Sequence, residues 1–205
     1  MVRDIQLVAG DLLTQRVGGP SAFPPQPPAI WEALFVAGGY KSWPESAGAD
    51  RYRRGLYTYV KRTALHPVMR NFDATNRTTC LVRRGRSNTP LAALTTLNEK
   101  SSMEAAGGLA WGMVDLNEED GPVARLVHGF RTCVARHPRD AEREALLRLY
   151  TRVVERYRND PESASWLVES AFHNKPAQSR NTAELAAWIV VANTLLNMDA
   201  TLSRF

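Results

Sequence analysis

Between Pro20 and Pro44 the chain carries six of its twelve prolines. Proline fixes its own backbone torsion and has no amide hydrogen to donate. Neither a helix nor a central strand can therefore run through VGGPSAFPPQPPAIWEAL and the residues after it. Residues 17–50 must travel extended, partly as polyproline II. Such a segment stays on a folded body only where apolar side chains pin it. Phe23, Ile30, Trp31, Leu34 and Phe35 supply the pins, so the segment is predicted to wrap the protein surface; a Pro-rich ligand for another domain is the sharper alternative.

The remainder reads as helix. Val2, Ile5, Val8, Ala9 and Leu12 already stand at helical spacing at the first residue, with no Ser, Thr or Asn cap before them. That start predicts that Met1 is an internal methionine and that the chain is the C-terminal part of a larger domain. Residues 51–62, RYRRGLYTYVKR, suit either a strand or three turns of helix. From residue 88 the signals are clear. Asn88 or Thr89 can cap, Pro90 fits the first helical position, and Leu91, Leu94 and Leu97 form a stripe. Further helices are predicted over about 100–114, Pro122–Arg136, the segment after the HPRD cap at His137–Asp140, and Ser163–Ser170. The last begins near Thr182 and ends near Met198. The run Leu185–Leu196 is too short to span a bilayer and reads as a helix buried on most sides. With 205 residues and 44% hydrophobic content, the chain fits one domain. It divides by composition into a helix and wrap (1–50), a basic segment (51–87) and a helical body (88–205). The predicted fold is mainly α, an irregular orthogonal helical bundle with a long Pro/Gly-rich N-terminal wrap and at most a short β element.

The charge is local. Arg51 to Arg86 hold ten Lys/Arg against one acid, Asp73, a balance of +9. The rest holds sixteen basic and twenty acidic residues, a balance of −4, and the two sum to the overall +5. Within the basic segment, CLVRRGRSNTPLAALTTLNE crowds Arg83, Arg84 and Arg86 against a helix start that is itself electropositive. Unbonded N–H groups and forked guanidinium donors there would suit a sulfate, phosphate or carboxylate. Arg83, Arg84, Arg86, Asn88 and Thr89 are the candidate anion site. The competing expectation is that these arginines pair with acids of the fold.

Other chemistry has weaker support. His66, His128, His137 and His173 show no metal-ligand spacing, and no metal site is expected. His128 falls on the polar side of its helix beside Arg125 and Thr132. His66 and Asp73 share the basic segment and could form an acid–base pair, which makes them the candidate catalytic residues. There is no P-loop, no G-x-S-x-G and no G-x-G-x-x-G; Gly18–Gly19, Gly38–Gly39 and Gly107–Gly108 read as turn or packing devices. Tyr52, Tyr57, Tyr59 and Phe72 among the basic residues would suit single-stranded nucleic acid, but no recognised motif accompanies them and the acidic remainder would repel a long polyanion. Cys80 and Cys133 stand at neither zinc nor haem spacing. Cys133 reads as a core residue and Cys80 as a small buried thiol, with a disulfide between them left open.

Three strings carry a resemblance: GGPSAFPPQPP, YRRGLYTYVKRTALHPVMRNFDATNRTTCLVRRGRSNTPLAALTTLNE and ELAAWIVVANTLLNMDATLSRF. In order and spacing they resemble the C-terminal domain of unknown function (family 1553) of large planctomycete and verrucomicrobial proteins. The resemblance covers nearly the whole chain, which looks like the last two-thirds of that domain. It implies a periplasmic or extracellular parent protein with haem c bound in another domain and no cofactor in this chain. It implies upstream domains of the same protein as partners. It also suggests a setting of polysaccharide breakdown, so that an anionic glycan becomes a candidate ligand and a share in an oxidative or hydrolytic active site becomes the alternative. Where the family usually has Asn-Asp after the leucines, this chain has Asn98 and Glu99, with the acid one methylene longer.

Overall fold

The structure is a computed structural model that describes residues 2–27, 43–61, 64–75, 80–83, 85, 89–115, 121–173 and 181–202. In chain order it contains α1 (Val2–Ala9), two 3-10 turns (Gly48–Tyr52 and Gly55–Tyr57), α2 (Pro67–Asn71), α3 (Pro90–Asn98), α4 (Lys100–Val114), α5 (Gly121–Val134), α6 (Asp140–Asn159), α7 (Pro161–Ala171), α8 (Thr182–Leu196) and α9 (Asp199–Leu202). The described residues form no β-strand, only three isolated bridges. The fold is mainly α. The chain clusters into two compact units, one of Met1–Leu12 with Ser102–Phe205 and one of Leu13–Ser101.

In the first unit α8 is the hub, packing on α5, α6, α7 and α9. Its sequence, TAELAAWIVVANTLL, has no polar face, and every side from Leu185 to Leu196 contributes buried residues. Trp188, Ile189, Val191 and Leu195 are wholly buried. Each such side chain contributes about 1.5–3 kcal/mol by leaving water. Asn181 caps the start, its Oδ1 accepting from Ala183 N and Glu184 N. Thr201 closes the end, donating its hydroxyl to the Leu195 carbonyl at 2.7 Å.

α4 packs through glycine. A Cβ on Gly108 would strike the Gly10 carbonyl, and one on Gly107 would strike the Ala171 carbonyl at the end of α7. Gly107–Gly108 is therefore the packing device the sequence allowed for. On α1 the buried residues are Gln6, Leu7 and Ala9, while Val8 is exposed, one position away from the predicted face. The reason is polar: Gln6 turns inward to take the Ser102 hydroxyl at 2.8 Å.

Arg139 is the N-cap of α6, and Glu142 Oε2 accepts from the Arg139 N–H at 2.7 Å. Arginine has no acceptor, so only this half of a capping box forms. Arg136 grips the same carboxylate with both terminal nitrogens, at 2.7 and 2.8 Å. The Arg136 hydrogen bonds first, and the Arg139 amide second, hold the Glu142 carboxyl down at about 2.

In the second unit the helices are short. α2 and α3 are tied by Asn71 Nδ2 donating to Thr95 Oγ1 at 2.7 Å. The segment left between strand and helix, 51–62, resolves over its described residues into the two 3-10 turns and bridges from Arg53 to Thr14 and from Thr58 to Ala22. Cys80 is exposed, against the expectation of a buried thiol, whereas Cys133 is buried on α5. Leu81 and Val82 beside it are exposed as well, so the stretch has no covered apolar face for the thiol to join.

Gly108→Ala is expected to destabilise the protein by about 1–3 kcal/mol or more, because a backbone carbonyl must move; urea unfolding measures it. Glu142 has a folded-state pKa of about 2 against an ordinary 4.5. Its contribution is therefore complete above the ordinary value and lost as pH falls from 4.5 towards 2. Glu142→Gln should flatten the stability profile in that window and leave its neutral-pH shape unchanged, as thermal melts across pH would show.

Candidate functional site

The basic segment is where the sequence concentrates its candidate chemistry. Two of its arginines have structural tasks. Arg53 is 2% exposed and donates to the carbonyls of Pro20, at 2.6 Å, and Gly18. Its guanidinium also sits 3.9 Å from the centroid of the Tyr57 ring. Arg51 is equally buried and pairs with Glu45. The cause lies in the wrap. Prolines without N–H groups prevent residues 17–27 from building a continuous ladder, so several of their carbonyls take side-chain donors instead. Besides Arg53, Trp43 Nε1 donates to Pro24 O at 2.8 Å and His66 Nε2 to Pro25 O at 3.1 Å. Ala22 adds a backbone pair, donating to Tyr57 O and accepting from Tyr59 N.

The rings of this unit follow the same plan. Phe23 stacks on Tyr59 at 4.8 Å and meets Trp43 edge-on at 5.1 Å, and Trp43 leans on His66 at 5.7 Å. Phe23 is thus the pin that the sequence foresaw; Ile30, Trp31, Leu34 and Phe35 lie outside the described residues. Tyr57 and Tyr59, counted above as bases' stacking partners, are engaged inside the unit.

Of the candidate catalytic pair, His66 is buried at the start of α2. Its bond to the Pro25 carbonyl requires the proton on Nε2. Asp73 follows the end of α2 with φ of 53°, a left-handed position that aspartate tolerates in turns. Of the candidate anion site, Arg83 is exposed and Thr89 caps α3, its Oγ1 accepting from Ala92 N at 3.1 Å. Arg84, Arg86 and Asn88 lie outside the described residues. Pro90 has no N–H and the cap takes that of Ala92, so the helix start offers mainly its dipole and the Leu91 amide.

The Leu91, Leu94 and Leu97 stripe faces outward, at 56, 55 and 41% exposure, while Ala92 and Thr96 are buried. The helix lies on its small residues because these let α3 approach its neighbours closely.

One polar cluster was misplaced by sequence reasoning. Arg125 belongs with His128 and Thr132 by helical pattern, yet it is 8% exposed while His128 is exposed. Arg125 Nη1 binds Glu184 Oε1 at 2.6 Å, and Tyr150 donates its hydroxyl to the same oxygen at 3.4 Å. The Tyr150 ring stacks on Trp188 at 4.3 Å. Burial first, then the Glu184 charge, pushes the Tyr150 hydroxyl up to about 12. Glu184 sits on α8, 59 residues away, which is why periodicity along α5 could not show the pair.

A family model described as PSD1, protein of unknown function (DUF1553), matches residues 1–150. The chain belongs to this family. No curated protein and no solved structure matches it. The PSD1 match takes in the Pro-rich wrap, the basic segment and α3, and it ends within α6. No helix among the described residues is long and apolar enough to cross a membrane, and no group of three or more His, Cys, Asp or Glu among them is placed to hold a metal.

Arg53→Met would remove a buried guanidinium with its bonds to the Pro20 and Gly18 carbonyls and its contact with the Tyr57 ring, and is expected to cost about 2–4 kcal/mol. The exposed neighbour substitution Arg54→Met should stay within about 0.5 kcal/mol. Paired urea titrations compare the two.

Proposed function

We propose that this PSD1-family chain is an interaction domain that docks through α3 and binds an anionic group, such as a sulfated or carboxylated glycan, beside it. The observation that carries this is the outward stripe of Leu91, Leu94 and Leu97 next to an arginine-rich approach whose described member, Arg83, is exposed. Apolar side chains turned to water on a capped helix favour a partner surface. Guanidinium groups at the positive end of the helix favour negative charge there. The partners on this proposal are upstream domains of a larger exported protein, one of which holds haem c, and this chain contributes binding and not catalysis. His66 fits that division, since its ring is tied to the wrap.

Replacing Arg83, Arg84 and Arg86 together with alanine should lower the salt concentration that elutes the protein from immobilised heparin, used as a sulfated polysaccharide. Loss of three charges should also reduce the slope of retention against salt. Unchanged elution by a variant with native circular dichroism would remove the anion site from the proposal.

A further inference from the structure

The first unit contains a cavity of about 440 Å³ lined by residues of three helices. Trp111 and Val114 come from the end of α4, Arg125 from α5, and Asn181, Glu184 and Leu185 from the start of α8. None of them belongs to the arginine approach of α3. The volume lies in the range of small-molecule sites. So does the composition, with apolar walls and a few convergent polar groups.

The polar groups have capacity left. Arg125 uses Nη1 on Glu184 Oε1, and its buried Nε has no hydrogen-bond partner among the described residues. Glu184 Oε1 also receives the Tyr150 hydroxyl, while no described residue donates to Oε2. Asn181 spends only its oxygen on the cap of α8. A guanidinium and a carboxylate 2.6 Å apart cancel at the distance of a ligand. An anion drawn by Arg125 meets Glu184, and a cation drawn by Glu184 meets Arg125. The pair instead offers a donor beside an acceptor. Two adjacent hydroxyls satisfy both at once, each able to give and to accept. Trp111 supplies a flat apolar wall, its own ring held edge-on by Phe172 at 6.4 Å.

We infer that this cavity binds a neutral hydroxylated ring, a pyranose sugar, with vicinal hydroxyls on Arg125 and Glu184 and its apolar face against Trp111. The site is separate from the sulfated-glycan proposal. Each can fail without the other, because one selects negative charge and the other excludes it.

Saturation-transfer NMR on the full chain tests it, with methyl β-glucoside, methyl β-galactoside and methyl β-xyloside as probes and glucuronate as the charged control. Transfer to at least one neutral glycoside, and weaker transfer to glucuronate, is expected. Trp111→Ala should weaken the best glycoside roughly tenfold, the loss given by removing about 1.4 kcal/mol of contact. Trp111→Leu keeps apolar bulk without the ring face and serves where the alanine variant does not fold. Absence of transfer to all three glycosides overturns the inference. So does preference for glucuronate, or undiminished binding by a folded Trp111 variant.

Discussion

An extended, proline-rich chain has carbonyls and few ways to satisfy them, and the second unit is arranged around that shortage. Gly18, Pro20, Pro24 and Pro25 each give a carbonyl to a side-chain donor from elsewhere in the unit: Arg53, Trp43 or His66. Each donor does a second thing. Arg53 covers the Tyr57 ring, and Trp43 stands in an aromatic group with Phe23, Tyr59 and His66. Hydrogen bonding and apolar burial are thus carried by the same side chains. This is how a unit whose described residues form no sheet, and include helices of five and nine residues, holds an irregular backbone in place.

The first unit answers a different demand. α8 is apolar on every side, so the surrounding helices must enclose it. Glycines at 107 and 108 let α4 come to backbone contact with its neighbours, where a single methyl would hold them apart. The polar residues enclosed with it, Arg125, Glu184 and Tyr150, answer one another by charge and hydrogen bond. An ion pair at the edge of such a core costs desolvation that only good geometry offsets. Its persistence beside a cavity is what makes it a candidate for recognition.

Charge counted along the chain and charge available to a ligand turned out to be different quantities. The balance of +9 over Arg51–Arg86 includes Arg51 and Arg53, both buried and both spent on the fold. Arg83 remains at the surface. In the other unit Arg125 sits in no basic run, yet it lines the cavity. Helical periodicity placed it on the polar face because a one-dimensional pattern scores a buried, paired arginine as though it were exposed.

The sequence by itself determined the elements. Proline argued against helix and central strand in the wrap; the cap at Thr89 and the 3.6-residue period located the longer helices from α3 to α8 to within a turn, while the short α2 and α9 hold too few residues to show a period. These signals are local, set by backbone torsions and by neighbours within four residues, so they are legible in one dimension. Tertiary structure alone decided which face of α3 is covered, which arginines are spent, and that residues 111, 125 and 184 meet around a cavity. Those outcomes depend on partners tens of residues distant, and on whether a small side chain permits an approach that a large one would block.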